Sequence, residues 1–131
     1  MRYFTLPEAE AFIPELEALY AQVLEMHAKA EAKARTLNEL EATGAAHAEA
    51  ALARSQLQFL VNEINGRLRR VFEIGAQPKG LEPALVDFPH RLEGREVCLC
   101  WRYGEKSIGH YHGLAEGFAG RKPLPRARGA A

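Results

Sequence analysis

Glu96-Val97-Cys98-Leu99-Cys100-Trp101-Arg102 is the stretch whose reading decides the fold. It is rich in strand-forming side chains and is followed by a turn-forming segment, Tyr103-Gly104-Glu105-Lys106, so it reads as a β-strand. Ser107-Ile108-Gly109-His110-Tyr111-His112 then reads as its returning hairpin partner. Upstream, Leu85-Val86-Asp87-Phe88 is a shorter strand ended by Pro89, and Pro78, Gly80 and Pro83 mark the segment from Ala76 as a loop. Downstream, Glu116 to Arg121 reads as an ordered turn anchored by Phe118, and Pro123 to Ala131 as a frayed, mildly basic tail. The expectation is a small antiparallel sheet of two to three strands.

Everything before Ala76 has a different period. Thr5-Leu6-Pro7-Glu8 has the form of a capping box, in which the threonine hydroxyl and the glutamate carboxylate each accept from the other's backbone N–H. Phe12, Leu16, Leu19, Val23, Met26, Ala30, Leu37 and Leu40 recur at steps of three and four, which makes one helical seam. Pro14 interrupts it, so a kink or short break is expected there. Gly44 is the place for the chain to reverse. A second helical pattern runs through Ala50, Ala53, Leu57, Leu60, Ile64, Leu68 and Val71 and stops at Gly75, where a left-handed C-cap fits. Gly66 is out of place inside a helix, which implies either a close packing partner or a bend. The fold class is therefore α+β, a long N-terminal antiparallel helical hairpin over 5–75 followed by a β motif over 76–122 and a flexible tail over 123–131. Residues 1–131 read as a single domain.

A helix from Leu6 to about Ala42 would be roughly 55 Å long at the usual rise per residue, against a radius of gyration near ~14 Å for a compact chain of this size. Two lone helices cover each other along one seam only, leaving the flanks of Leu19, Tyr20, Leu52, Phe59 and Leu60 partly wet. Self-association into a homodimer through the hairpin covers them, and a coiled-coil-like four-helix arrangement is the expected form.

The 17 basic and 17 acidic residues cancel, so no whole-molecule field draws in nucleic acid or an anionic membrane. No apolar run is long enough for a signal peptide or a membrane span, and the expectation is a cytoplasmic protein without membrane contact. Cys98 and Cys100 sit two apart on one strand, roughly 6.5 to 7 Å between Cα atoms, so free thiols are expected rather than a bridge.

Cys98-Leu99-Cys100 and His110-Tyr111-His112 are zinc-type ligands on neighbouring strands. Alternation puts both thiols on one face of their strand and both imidazoles on one face of theirs. Register decides whether those faces coincide. An even loop pairs Trp101 with Ile108 and Val97 with His112, and the two sets then lie on opposite sides. An odd loop brings them together. The even register joins Val97, Leu99, Trp101 and Ile108 into one apolar face and is the one expected. A second constellation is Asp87, Glu105 and His112, which would bind a metal or serve as acid and base if they converge. Arg95, Arg102, Arg121 and Lys122 are local positive charge without any nucleotide-binding pattern.

Phe4-Thr5-Leu6, Leu85-Val86-Asp87-Phe88-Pro89, Gly94-Arg95, Leu99-Cys100-Trp101, Gly104-Glu105, His112 and Gly117-Phe118-Ala119-Gly120-Arg121 together resemble a bacterial domain-of-unknown-function family, number 2203. The chain departs from that pattern at Tyr111, where tryptophan is expected, and at Ala84, where glycine is. The resemblance implies a bacterial cytoplasmic protein and brings no activity with it. Asp87, Arg95, Cys100, Glu105, His112 and Arg121 match its motif positions, whereas Cys98 and His110 do not.

The leading functional expectation is a self-associating interaction or structural module whose β motif presents Asp87, Arg95, Glu105, His112 and Arg121 as a polar patch, with no cofactor. The alternative is a small metal-binding protein or enzyme using Asp87, Glu105 and His112, with zinc or another divalent metal held by Cys100, Glu105 and His112. A third reading gives Arg121, Lys122, Arg126 and Arg128 a weak nucleic-acid contact that collapses as salt rises. The residues identify no small-molecule ligand.

Overall fold

The computed structural model describes residues 2–44 and 47–125. They fall into two compact units, one from Met1–Ala18 and Val71–Ala131, the other from Leu19–Arg70.

Helix α1 (Leu6–Glu10) starts on the capping box. The Glu8 N–H donates to Thr5 Oγ1 at 3.2 Å and the Thr5 N–H to Glu8 Oε1 at 2.8 Å. These bonds, with the Thr5 backbone N–H foremost, hold the Glu8 carboxyl below the ordinary carboxylate range. A turn at Ala11 and Phe12 then breaks the helix, and α2 (Ile13–Thr43) begins immediately before Pro14. The proline thus sits in a first turn, where its missing N–H deprives no carbonyl of a partner. Gly44 leaves α2 with φ +67°, and α3 (His47–Ile74) ends at Gly75 with φ +102°. The Gly75 N–H donates to Phe72 O at 3.0 Å and the Ala76 N–H to Val71 O at 3.2 Å, which is the Schellman arrangement that a left-handed glycine permits.

In the helical unit, α2 and α3 run antiparallel. Arg54 pairs with Glu41 at 2.8 Å, Arg67 Nε donates to Gln22 Oε1 at 2.9 Å, and Leu37, Ala50 and Ala53 form a small core with Leu40 and Leu57 against it. One expectation fails here, and so does one of the two alternatives for Gly66. Tyr20 is fully buried, and the loss of water around its ring pushes the phenol up to about 12, so it is not part of a wet flank. A Cβ built on Gly66 meets no described atom within 4 Å, so close packing does not explain this glycine.

The other unit carries a five-stranded antiparallel sheet in the order β1-β2-β3-β4-β5. Its strands are β1 (Gln77–Leu81), β2 (Ala84–Leu92), β3 (Arg95–Arg102), β4 (His110–Gly113) and β5 (Lys122–Pro123). The expected two to three strands understate it. Both missed strands are edges, β1 and β5, where Pro78 and Pro123 cost no ladder bond. Pro89 does not end its strand either. N–H and C=O of one strand residue point to the same side, and Pro89 O accepts from the Phe4 N–H at 2.8 Å, beyond the last β1 partner. The ring's missing N–H is thus turned away from β3.

One face of this sheet is core. Val86 and Phe88 pair with Trp101 and Leu99, and all four, with Phe4, Leu16, Val71 and Ile108, are essentially inaccessible to water. The Phe4 and Phe88 rings meet edge to face at 5.0 Å. Each such side chain contributes about 1.5–3 kcal/mol by leaving water.

The expected hairpin register is wrong. Strand β3 pairs with β4 as Cys98↔His112, Leu99↔Tyr111 and Cys100↔His110, so thiols and imidazoles share a face. Ile108 does not belong to β4; its N–H is bound by the Glu10 carboxylate at 2.8 Å and it reaches the core from the connecting segment. The Trp101 indole N–H donates to Glu105 O at 3.0 Å instead of facing Ile108 across a ladder. The apolar-face criterion failed because β2 and β3 are buried on both faces and so show no hydrophobic alternation.

Candidate functional site

The face opposite the core carries the candidate residues. Leu85, Asp87 and Pro89 of β2, Cys98 and Cys100 of β3, and His110 and His112 of β4 all point to it by strand parity and register. Asp87 stands directly across from Cys100, and His112 across from Cys98.

Asp87 and His112 are each only 3% exposed, the two buried polar residues among the described ones. Burial of this kind demands partners, and the pair supplies them. His112 Nε2 lies 3.0 Å from Asp87 Oδ1, and His112 Nδ1 lies 2.8 Å from Gly113 O. A carbonyl only accepts, so Nδ1 carries a hydrogen and the ring turns Nε2 toward Asp87. Nε2 either shares a proton with the carboxylate or offers its lone pair to a cation. Ligand atoms of Asp87, Cys100 and His112 all lie within 4.8 Å of one another, and all three residues are buried.

The Cys98 and Cys100 thiols are free. Burial, with the Asp87 charge second, pushes both up to about 11. Arg121 acts against that rise at Cys100, by its charge and by a side-chain hydrogen bond. Its Nη2 donates to Cys100 O at 3.3 Å and to both Glu105 carboxylate oxygens at 2.7 Å. Burial pulls the Arg121 pKa down, but the Glu105 hydrogen bond, with the charges and contacts of Cys100 and Glu105, outweighs it, and the net direction is up. Glu105 is in turn fixed by the Arg102 N–H, which donates to its Oε1 at 2.8 Å. A chain of contacts therefore runs His112, Asp87, Cys100, Arg121, Glu105.

The sequence-derived residues sort cleanly against this geometry. Cys100 and His112 converge, with Asp87 as the third donor. Glu105 stands behind Arg121 and outside the cluster of donors. Arg95 is exposed at the start of β3, paired with Leu92, and takes no part. Cys98 and His110 share the face but not the cluster, and His110 Nδ1 has no described hydrogen-bond partner. Of the proposed nucleic-acid contacts, Arg121 is paired with Glu105 and Lys122 Nζ reaches Glu116 at 3.4 Å. Arg126 and Arg128 lie outside the described residues.

Asp87, Cys98 and His112 also line a cavity of about 250 Å³ on this face. Cys100, with no exposure, is sealed behind it. No helix among the described residues is long and apolar enough to cross a membrane.

The family model described as "Uncharacterized conserved protein (DUF2203)" matches residues 2–124. The chain belongs to the DUF2203 family. That span takes in every residue of the DUF2203 chain's site, from Tyr3 at the cavity to Arg121. No significant match to this DUF2203 protein is found among curated proteins or solved structures.

Proposed function

We propose that this protein is a small metal-binding protein whose β unit holds one divalent ion on Asp87, Cys100 and His112. The observation that carries the reading is the mutual approach of one carboxylate, one thiol and one imidazole to within 4.8 Å in a buried setting. A thiol, an imidazole and a carboxylate are a zinc donor set, and three protein ligands are the usual complement of a zinc site that keeps a fourth position open. The His112 Nδ1 contact with Gly113 O supports it, since ligating histidines characteristically donate their second N–H to a carbonyl or carboxylate. Arg121 supports it too, as a cation beside the thiol that must ionise, held in place by Glu105. With thiolate and carboxylate both charged, a bound zinc leaves the three-ligand centre formally neutral, which suits burial. Elemental analysis of protein purified without chelator or added metal tests the reading. One equivalent of metal per chain, lost in His112→Ala and Cys100→Ser, is expected; a metal-free protein that also fails to take up zinc in solution overturns it.

A second reading concerns the helical unit, where Leu52 and Phe59 are 59% and 62% exposed and stand two helical turns apart on one face of α3. That patch supports self-association of the hairpin. Sedimentation equilibrium tests it: a two-chain mass that falls to one chain in Phe59→Glu is expected, and a one-chain mass for the unaltered protein rejects it.

A further inference from the structure

We infer that the cavity over this centre binds a small organic anion with a compact apolar body, the anionic head meeting the metal and Lys79. The inference rests on the metal reading above and goes beyond it by naming what fills the open position. Three protein donors leave a tetrahedral zinc one vertex. Asp87 and His112 line the cavity whereas the fully buried Cys100 does not, so an ion held by the three would take its fourth ligand from the cavity side.

The walls define the rest of the ligand. The cavity volume of about 250 Å³ corresponds to roughly eight water molecules at ~30 Å³ each, room for one small molecule. Leu114 and Phe118, 64% and 39% exposed, line it. Large apolar side chains left wet at the mouth of a polar-floored cavity are the pattern of a ligand site. Pro89 continues the apolar wall on the sheet side. The cations and anions at the rim are not equivalent. Lys79 is the one lysine or arginine among the residues that line the cavity. Glu96, the carboxylate at the rim, is hydrogen-bonded to the Tyr3 hydroxyl, which raises the phenol's pKa and directs one acceptor of the acid to Tyr3. A metal and an ammonium in one cavity with leucine and phenylalanine select a monoanion with a hydrophobic end.

Phenylacetate and its neutral counterpart phenylacetamide are suitable probes, titrated into the full-length protein loaded with cobalt(II), whose visible spectrum reports both metal uptake and the fourth ligand. A saturable spectral change at millimolar phenylacetate is expected, at least tenfold weaker for phenylacetamide and about fivefold weaker in Lys79→Met, the size of effect one partly exposed ion pair gives. A bound-cobalt spectrum that phenylacetate leaves unaltered overturns the inference while the metal reading stands. Equal affinity for both probes, or an unchanged affinity in Lys79→Met, overturns the assignment of an anion. Failure of cobalt to bind, visible before any probe is added, takes down the metal reading and this inference with it.

Discussion

Removing Asp87 and His112 together should cost clearly less than the sum of removing each alone. Each is 3% exposed, and Nε2 of His112 lies 3.0 Å from Oδ1 of Asp87. Deleting one side of such a buried pair strands the other, a cost of about 3–5 kcal/mol. For a chain of this size ~1 kcal/mol is worth about 4 °C, so Asp87→Ala and His112→Ala should each lower the melting temperature by roughly 12–20 °C. The double variant loses the interaction once and strands nothing, and the cycle should show a coupling of about 2–3 kcal/mol. Asp87→Asn is the informative control, because its amide N–H can donate to Nε2 and satisfy it without a charge; its melting temperature should fall by less than about 4 °C, the equivalent of one net hydrogen bond. Urea unfolding followed by tryptophan fluorescence, with chelator present so that metal does not enter, is the assay, Trp101 being the single tryptophan and part of the same unit. Additive single effects, or singles costing under about 1 kcal/mol, would refute the claim that these two groups depend on each other.

Three further outcomes follow from the same geometry. The metal-free protein should lose stability between pH 9.0 and about 11, because the Cys98 and Cys100 thiols ionise at about 11 when folded against an ordinary 9.0. The folded state then holds protons that the unfolded chain has released, so stability declines as pH rises through that window; a Cys98→Ala/Cys100→Ala variant with an unchanged slope in urea midpoint against pH would contradict it. Gly66→Ala should stabilise the protein by about 0.5–1 kcal/mol, since the site is helical and open and only backbone entropy is at stake; a fall in melting temperature would point to an unseen constraint. Arg121→Met should weaken zinc binding by roughly 10–100-fold without abolishing it, as loss of a supporting group beside a ligand does, and competition with a chromogenic chelator would expose an effect below twofold.

Local signals were legible and parity was not. Thr5 and Glu8 announce the first helix because a capping box closes within four residues, and Gly75 ends the last one because a left-handed cap needs only local chemistry. Cys98 and Cys100 were bound to share a face for the same reason. The register of β3 on β4 was misread because it depends on where Ile108 leaves the strand, and Ile108 is held by Glu10, nearly one hundred residues earlier in the chain. Asp87 carried its own signal: a carboxylate inside Leu85 to Phe88, a run buried on both faces, must find a partner. Its partner, His112, was grouped with it as a candidate, but it lies two strands away and no spacing rule could show that the two meet. Glu105 was read as a ligand on the strength of its turn, whereas Arg121, arriving from beyond the short helical turn Phe118–Gly120, claims its carboxylate. The prolines misled in the opposite sense, since Pro78 and Pro123 read as loop yet occupy the edges where a missing N–H is harmless.

Zinc-edge anomalous diffraction from crystals grown with one equivalent of zinc tests the central claim most directly. The account predicts a single strong peak in the β unit, about 2.0–2.3 Å from His112 Nε2, an Asp87 oxygen and Cys100 Sγ. A map without density there, with Nε2 and Oδ1 still in direct hydrogen-bond contact, would contradict it.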